Sequence, residues 1–321
     1  MNAGPVVTVL HDGVEPDAAS LRPVSQRATV RFADGAELAD ALPGAEALFV
    51  YDFQSTALPG AWHRADRLRW IHVGGTGVDA VMFDELIDSD VLVTNTRGLF
   101  DQPIAEYVLA QILAFAKDLP ESLRLQQRHQ WHHRESERVA GAAALVVGTG
   151  SIGRAIARLL CAAGMRVRGL GRTARTGDPD FGTVATDLHA ELPGADYVIC
   201  VAPLTPQTRQ LFDANAFAAM KPHARFINVG RGESVVTDDL VAALRGGALA
   251  GAALDVVDPE PLPAGHPLWD LPNVVVTPHN SGDFIGWRSE IVAAFTDNFQ
   301  RWITGQPLQN VVDKKLGYVP S

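Results

Sequence analysis

The sequence predicts an α/β protein of two domains, the second built on a doubly wound parallel sheet. Three observations carry this. The chain has 321 residues, enough for two ordinary domains with a core each. Short β-rich runs alternate with helical stretches along both halves. The runs of the second half are almost continuously apolar, the pattern of strands covered by helices on both faces.

In the first hundred residues the β-rich runs are VVTVL (6–10), ATVRF (28–32), ALFVYD (47–52), LRWIHV (68–73) and VLVTNT (91–96). The gaps between them are long enough for the crossovers that parallel strands need, so this part reads as a small α/β domain. Residues 101–119 place Ile104, Val108, Ile112 and Phe115 at helical spacing and predict one long amphipathic helix, with Pro103 tolerated in its first turn. Six further runs follow: AALVVG (143–148), RVRGL (166–170), YVICVA (197–202), RFINVG (225–230), LAGAALDVV (249–257) and NVVVTP (273–278). A last helix is expected near 284–303, and the sequence leaves open which domain it packs on.

Composition narrows the partners. The formal net charge of −10 argues against nucleic acid or an anionic membrane surface, since both call for a basic face. No apolar run is long enough to span a bilayer. The N-terminus lacks a basic region, and its short apolar run reads as a first strand, not a signal peptide. Cys161 and Cys200 lie in apolar segments and read as buried free thiols of a cytoplasmic protein.

The run ending at Val147 leads into GTGSIG, with Gly148, Gly150 and Gly153 between a strand and an amphipathic helix. The first glycine permits a tight turn, the second lets the backbone approach a pyrophosphate, and the third lets helix and strand pack closely. Ser151 and Ile152 open the helix, whose free N–H groups and positive dipole end suit phosphates. Strand, loop, helix and second strand together predict a Rossmann-type dinucleotide site. A site selective for NAD usually carries an acid at the end of the second strand, yet no Asp or Glu occurs between Arg138 and Gly177. Gly171 stands there, leaving room, and Arg172, Thr173 and Arg175 follow. The two arginines can offer planar donors to a 2′-phosphate, which favours NADP(H) and leaves NAD(H) open.

Ligands of a doubly wound sheet bind beyond the carboxyl ends of its strands. Arg231 follows RFINVG, Glu260 lies in the DPEPLP that follows ALDVV, and His279 follows NVVVTP. Any one of them alone reads as a surface charge or a cap. Together, on the edge that carries the glycine loop, they suit reduction of a 2-oxo acid. An arginine fork holds the carboxylate and polarises the carbonyl, and a histidine protonates the oxygen that hydride transfer leaves negative. A neighbouring carboxylate stabilises the imidazolium and fixes the tautomer.

The motifs GGTGVDAV (74–81), VTNTRG (93–98), IAEYVLA (104–110), VVGTGSIGRAIARLL (146–160), APLTPQT (202–208), INVGRGE (227–233), ALDVVDPEPLP (253–263) and TPHNSG (277–282) occur in order over nearly the whole chain. In these the chain resembles the D-isomer-specific 2-hydroxyacid dehydrogenases, the family of glyoxylate/hydroxypyruvate reductase. The resemblance implies that Arg231 binds the substrate carboxylate and carbonyl, that His279 is the acid/base and that Glu260 pairs with it. It implies that Thr76 and Gly77 hold the carboxylate through backbone N–H groups. Asp255 would hold the nicotinamide carboxamide, Pro203 and Thr208 would flank the adenosine end, and Val229 is a further cofactor contact. The family's fold would make residues 1–99 and 286–321 a discontinuous flavodoxin-like substrate domain and residues 100–285 the cofactor domain, with the active site in the cleft and a homodimer through the cofactor domain. A 2-oxo acid such as glyoxylate or hydroxypyruvate is the expected substrate.

Other readings stay open. One is an NAD-dependent enzyme like D-3-phosphoglycerate dehydrogenase, although its usual NAD preference fits poorly with Gly171 and Arg172. A non-catalytic dinucleotide sensor of the corepressor type would keep the same residues. Formate dehydrogenase is disfavoured because glutamine stands there in place of Glu260. His129, His132 and His133 lie close together, but no convergent acidic or thiol set accompanies them, so no metal is expected. Trp131 reads as an anchor for the segment before the first cofactor-domain strand and as a dimer contact, and Trp269 and Trp287 as packing. His72 is either a strand-end or a cleft residue.

Overall fold

The computed structural model describes residues 4–320. They form two compact units, one running up to Phe100 and resuming at Phe284, the other spanning Asp101–Asp283.

The first unit is built on five parallel strands: β1 (Val6–Leu10), β2 (Thr29–Ala33), β3 (Ala47–Val50), β4 (Trp70–Val73) and β5 (Leu92–Asn95). Their order is β2-β1-β3-β4-β5, the flavodoxin-like arrangement. The central β3 and β4 are buried along their whole length, whereas edge strand β2 alternates Thr29 and Arg31 with apolar residues and is half exposed. The C-terminal helix Trp287–Ile303 belongs to this unit. Its Phe295 stacks on Phe49 with ring centroids 4.2 Å apart and lies 5.4 Å from Trp70. His72 is a core residue, fully buried against Phe49, Trp70 and Phe295, with Nδ1 2.8 Å from Thr94 Oγ1. Burial pushes its imidazole down to about 3, so the ring is neutral.

The second unit carries β6 (Ala143–Val147), β7 (Arg166–Leu170), β8 (Arg175–Asp178), β9 (Gly182–Ala185), β10 (Tyr197–Cys200), β11 (Arg225–Asn228), β12 (Gly251–Leu254) and β13 (Val274–Val276). The sheet order is β13-β12-β11-β10-β6-β7-β9-β8. Strands β9-β7-β6-β10-β11-β12 reproduce the doubly wound Rossmann order, β13 extends it, and all these pairs are parallel. The reversal of order between β6 and β10 is where ligands bind in such sheets.

The structure differs from the sequence reading at several places, and Trp269, read as packing, is half exposed. Strands β8 and β9 were not expected, because their residues RTGD and GTVA are polar and short. They form an antiparallel hairpin at the sheet edge, so Arg175 opens a strand instead of sitting in a loop. The long helix ends at Ala116, and Asp118, with a φ of +50°, turns the chain into a second helix, Leu119–Gln127. Cys200 is buried but Cys161 is exposed, since it lies on the outer side of the helix Ser151–Ala162. Trp131 is fully exposed, so it does not pack as an anchor among the described residues. No helix among the described residues is long and apolar enough to cross a membrane.

Candidate active site

The glycine loop leaves β6 at the switch point. Gly148 has a φ of +113°, and a Cβ there would come within 2.8 Å of the Val201 carbonyl and Ala202 N. A Cβ on Gly153 would lie 2.0 Å from the Gly148 carbonyl oxygen, so helix and strand can meet only through glycine. At Gly150 a Cβ would meet nothing within 4 Å. This residue caps the helix Ser151–Ala162 with no side-chain acceptor, which leaves the first-turn N–H groups available to an anion. The loop thus fits a dinucleotide pyrophosphate: tight where the fold packs, open where a phosphate would approach. Ser151 Oγ donates to Asp101 Oδ1 at 3.1 Å, and Ile152 is half-buried in the first turn.

At the end of β7 the space beside Gly171 is not empty. A Cβ there would lie 2.8 Å from Thr149 Oγ1, so the threonine of the glycine loop fills the room expected for an acid. Arg175 reaches over this threonine, Nη2 donating to Oγ1 at 3.1 Å, while its Nε lies 3.3 Å from Asp178 Oδ2. Asp178, one residue beyond the acid-free stretch, also receives both terminal nitrogens of Arg154 at 3.0 Å. Those bonds from Arg154 hold its carboxyl down to about 2. Arg172 and Thr173 are exposed at the turn between β7 and β8. Beyond β10, Thr208 Oγ1 donates to the Pro203 carbonyl at 2.6 Å and shapes the 203–208 loop. Val229 is buried, its N–H bonded to the Cys200 carbonyl at 3.0 Å.

Arg231, Glu260 and His279 sit on the loops after β11, β12 and β13. Gly232 lets the first two loops touch, since a Cβ there would fall 2.0 Å from the Val257 carbonyl. Asn228, fully buried, braces the Arg231 turn: its Nδ2 donates to the Arg231 carbonyl at 2.9 Å and its Oδ1 accepts from Gly230 N at 3.1 Å. His279 Nδ1 and Glu260 Oε2 are 3.0 Å apart, and Glu260 Oε1 accepts from Val257 N at 3.0 Å. Burial pushes the Glu260 carboxyl up. The hydrogen bonds from His279 and Val257, with the charges of His279 and Arg231, outweigh it and hold the carboxyl below its ordinary range. An imidazole, its carboxylate and a guanidinium field therefore meet on the edge that carries the glycine loop.

Asp255 is buried and already engaged by its own loop. Its carboxylate accepts from Thr277 Oγ1 at 2.6 Å, Asn280 N at 3.0 Å and Ser281 N at 2.9 Å. In the first unit, three successive carbonyls of the loop after β4 are held from one side. Thr96 Oγ1 donates to Gly74 O at 2.9 Å, Thr96 N to Gly75 O at 3.2 Å and Asn95 Nδ2 to Thr76 O at 2.6 Å. In a trans peptide N–H and C=O point oppositely, so these bonds also fix the directions of the Gly75, Thr76 and Gly77 N–H groups.

Sequence reasoning passed over Asn228, Gly232, Thr277 and Asn95. Each lies inside a motif singled out above, but its work is bonding or spacing of backbone that a lone sequence does not display. Among the described residues no group of three or more His, Cys, Asp or Glu side chains is arranged to hold a metal ion.

Comparison with known proteins adds the family. Residues 109–281 match the model of the D-isomer specific 2-hydroxyacid dehydrogenase NAD binding domain. The chain is 32% identical over 259 residues to glyoxylate/hydroxypyruvate reductase A of Serratia proteamaculans, covering 78% of this chain and 82% of that protein. A D-isomer specific 2-hydroxyacid dehydrogenase of Xanthobacter autotrophicus, solved with NADPH and MES, superposes with a TM-score of 0.81 at 32% identity, covering 98% of this chain and 100% of that one. The NADPH-dependent glyoxylate/hydroxypyruvate reductase of Sinorhizobium meliloti, solved with NADP and sulfate, gives a TM-score of 0.81 at 29% identity, covering 98% and 100%. With a family model spanning more than half its length and relatives above 30% identity over most of it, the chain belongs to the D-isomer specific 2-hydroxyacid dehydrogenase family.

Proposed function

We propose that this oxidoreductase is an NADPH-preferring reductase of small 2-oxo acids, glyoxylate and hydroxypyruvate first among them. The observation that carries the reading is the His279–Glu260 pair at 3.0 Å, lying within the field of Arg231 on the edge that bears the glycine loop. A reduced nicotinamide bound there supplies hydride to the substrate carbonyl carbon. Arg231 orients the substrate carboxylate and draws electron density toward the carbonyl oxygen. His279 gives its proton from Nε2 to that oxygen as negative charge develops, while Glu260 holds Nδ1 and stabilises the protonated ring. Thr76 and Gly77 are assigned to the carboxylate through their backbone N–H groups.

NADP(H) preference is supported by Gly171, with Thr149 filling the place of an acid, and by Arg175 tethered over Thr149. Relatives solved with NADPH or NADP point the same way. We assign Arg172, Thr173 and Arg175 to the 2′-phosphate side, and Pro203, Thr208 and Val229 to the rest of the cofactor. The exposed apolar side chains of Leu113, Leu119, Leu123 and Trp131 support a homodimer formed through the second unit.

A spectrophotometric panel tests this reading. Absorbance of the reduced cofactor should fall fastest with NADPH and glyoxylate or hydroxypyruvate, and at least about tenfold more slowly with NADH. Equal kcat/KM for the two cofactors would remove the preference, and no turnover of any 2-oxo acid would favour a cofactor-sensing role.

A further inference from the structure

We propose that Thr277 and Tyr107 are positioning residues for His279, acting through the buried carboxylate of Asp255. The inference rests on His279 being the acid/base of the proposed reaction. His279 has a φ of +52°, a left-handed backbone conformation that side chains with a Cβ disfavour. Something must hold it there. Its N–H is shared between the carbonyls of Asp255, at 2.9 Å, and Thr277, at 3.0 Å. The Asp255 carboxylate gathers donors from both sides of the histidine, Thr277 Oγ1 before it and the N–H groups of Asn280 and Ser281 after it.

Proton counting gives the network a direction. Thr277 has one hydroxyl proton, and the 2.6 Å contact gives it to Asp255 Oδ1. Its oxygen then accepts, and the Tyr107 hydroxyl, 2.7 Å away, is the donor. Burial pushes the Tyr107 phenol up to about 12, so the proton it donates is always present. The chain Tyr107–Thr277–Asp255 thus ties the helix Asp101–Ala116 to the loop in which His279 is strained. Asp255, whose oxygens are taken up by this loop, serves the histidine's backbone as well as any cofactor group it meets.

Steady-state kinetics of the full chain with NADPH and glyoxylate, alongside thermal melts, test the proposal. Thr277→Val keeps the shape and removes the hydroxyl; kcat should fall on the order of tenfold with KM for NADPH little changed. Thr277→Ser restores the hydroxyl and should restore kcat to within about threefold of wild type, and Tyr107→Phe should cost about threefold. In cofactor-free protein labelled with 15N-histidine, the His279 ring resonances should shift or broaden in Thr277→Val and match wild type in Thr277→Ser. An unchanged kcat in Thr277→Val, or a raised KM for NADPH at constant kcat, overturns the proposal. If Thr277→Val does not fold, Tyr107→Phe decides, and an unchanged kcat and unchanged His279 resonances overturn it. His279→Ala separates the two levels. A crippled His279→Ala beside a normal Thr277→Val defeats the positioning inference alone, whereas a fully active His279→Ala removes the acid/base reading and this inference with it.

Discussion

The imidazole Nδ1 of His279 and the carboxylate Oε2 of Glu260 face each other at 3.0 Å, on loops that leave neighbouring strands of the second sheet. The pair leaves Nε2 as the ring nitrogen available to a substrate oxygen. Glu260→Gln keeps the hydrogen bond's shape but removes the charge that stabilises the imidazolium. Its kcat should fall by about ten- to a hundredfold at neutral pH, and the gap should narrow only in buffer acidic enough to protonate Glu260 itself, whose carboxyl is held below its ordinary range. The pH profile of kcat checks this, and a profile superimposable on wild type contradicts it.

Arg231 is held by its turn, with Asn228 bonded to its carbonyl and its own Nη1 donating to the Gly230 carbonyl at 2.7 Å, and its charge helps to lower the Glu260 carboxyl. A lysine carries the same charge but cannot make the planar two-point contact with a carboxylate. Arg231→Lys should raise KM for glyoxylate at least about tenfold while the KM for NADPH stays near wild type. An unchanged KM for glyoxylate counts against the assignment.

Arg175, the first residue of β8, is tethered between Thr149 and Asp178. If it meets a 2′-phosphate, Arg175→Ala should raise KM for NADPH about tenfold or more and leave KM for NADH unchanged. Parallel kinetics with both cofactors decide the matter. A loss shared equally by both would assign Arg175 to the β8–β9 hairpin and not to cofactor choice.

Asp178 has a side chain only 3% exposed and a folded-state pKa of about 2, below its ordinary 3.8, because Arg154 grips it. A depressed carboxyl stabilises the fold fully above its unfolded pKa and loses that contribution as pH falls toward the folded value. Allowing for solvent screening, the contribution is on the order of 1 kcal/mol, or a few degrees in Tm for a unit of this size. Asp178→Asn should therefore lower Tm near neutral pH, and the gap to wild type should narrow below about pH 4. Thermal melts across that range test it, and a gap that widens on acidification contradicts it.

Both sheets were legible in the sequence because their buried strands are apolar runs. β3 and β4 are wholly buried, and so are β10 and β12. The hairpin β8–β9 was not legible. It is an edge, its first strand is RTGD, and its pairing is set by tertiary contact, not by side-chain pattern. Arg231, Glu260 and His279 could be picked out because chemistry in such a sheet collects beyond the strand ends. What braces them could not. Asn228 and Thr277 each act through two side-chain hydrogen bonds, and Gly232 through a backbone approach. Cys161 misled for a related reason: apolar neighbours do not say which side of a helix a residue occupies.

In the proposed reaction His279 gives the proton that completes reduction. This is tested most directly by comparing kcat for NADPH-dependent glyoxylate reduction in wild type and His279→Ala, once thermal melts show that both are folded. In His279→Ala, kcat should drop roughly a hundredfold or more. A folded His279→Ala that turns over within about twofold of wild type would contradict it.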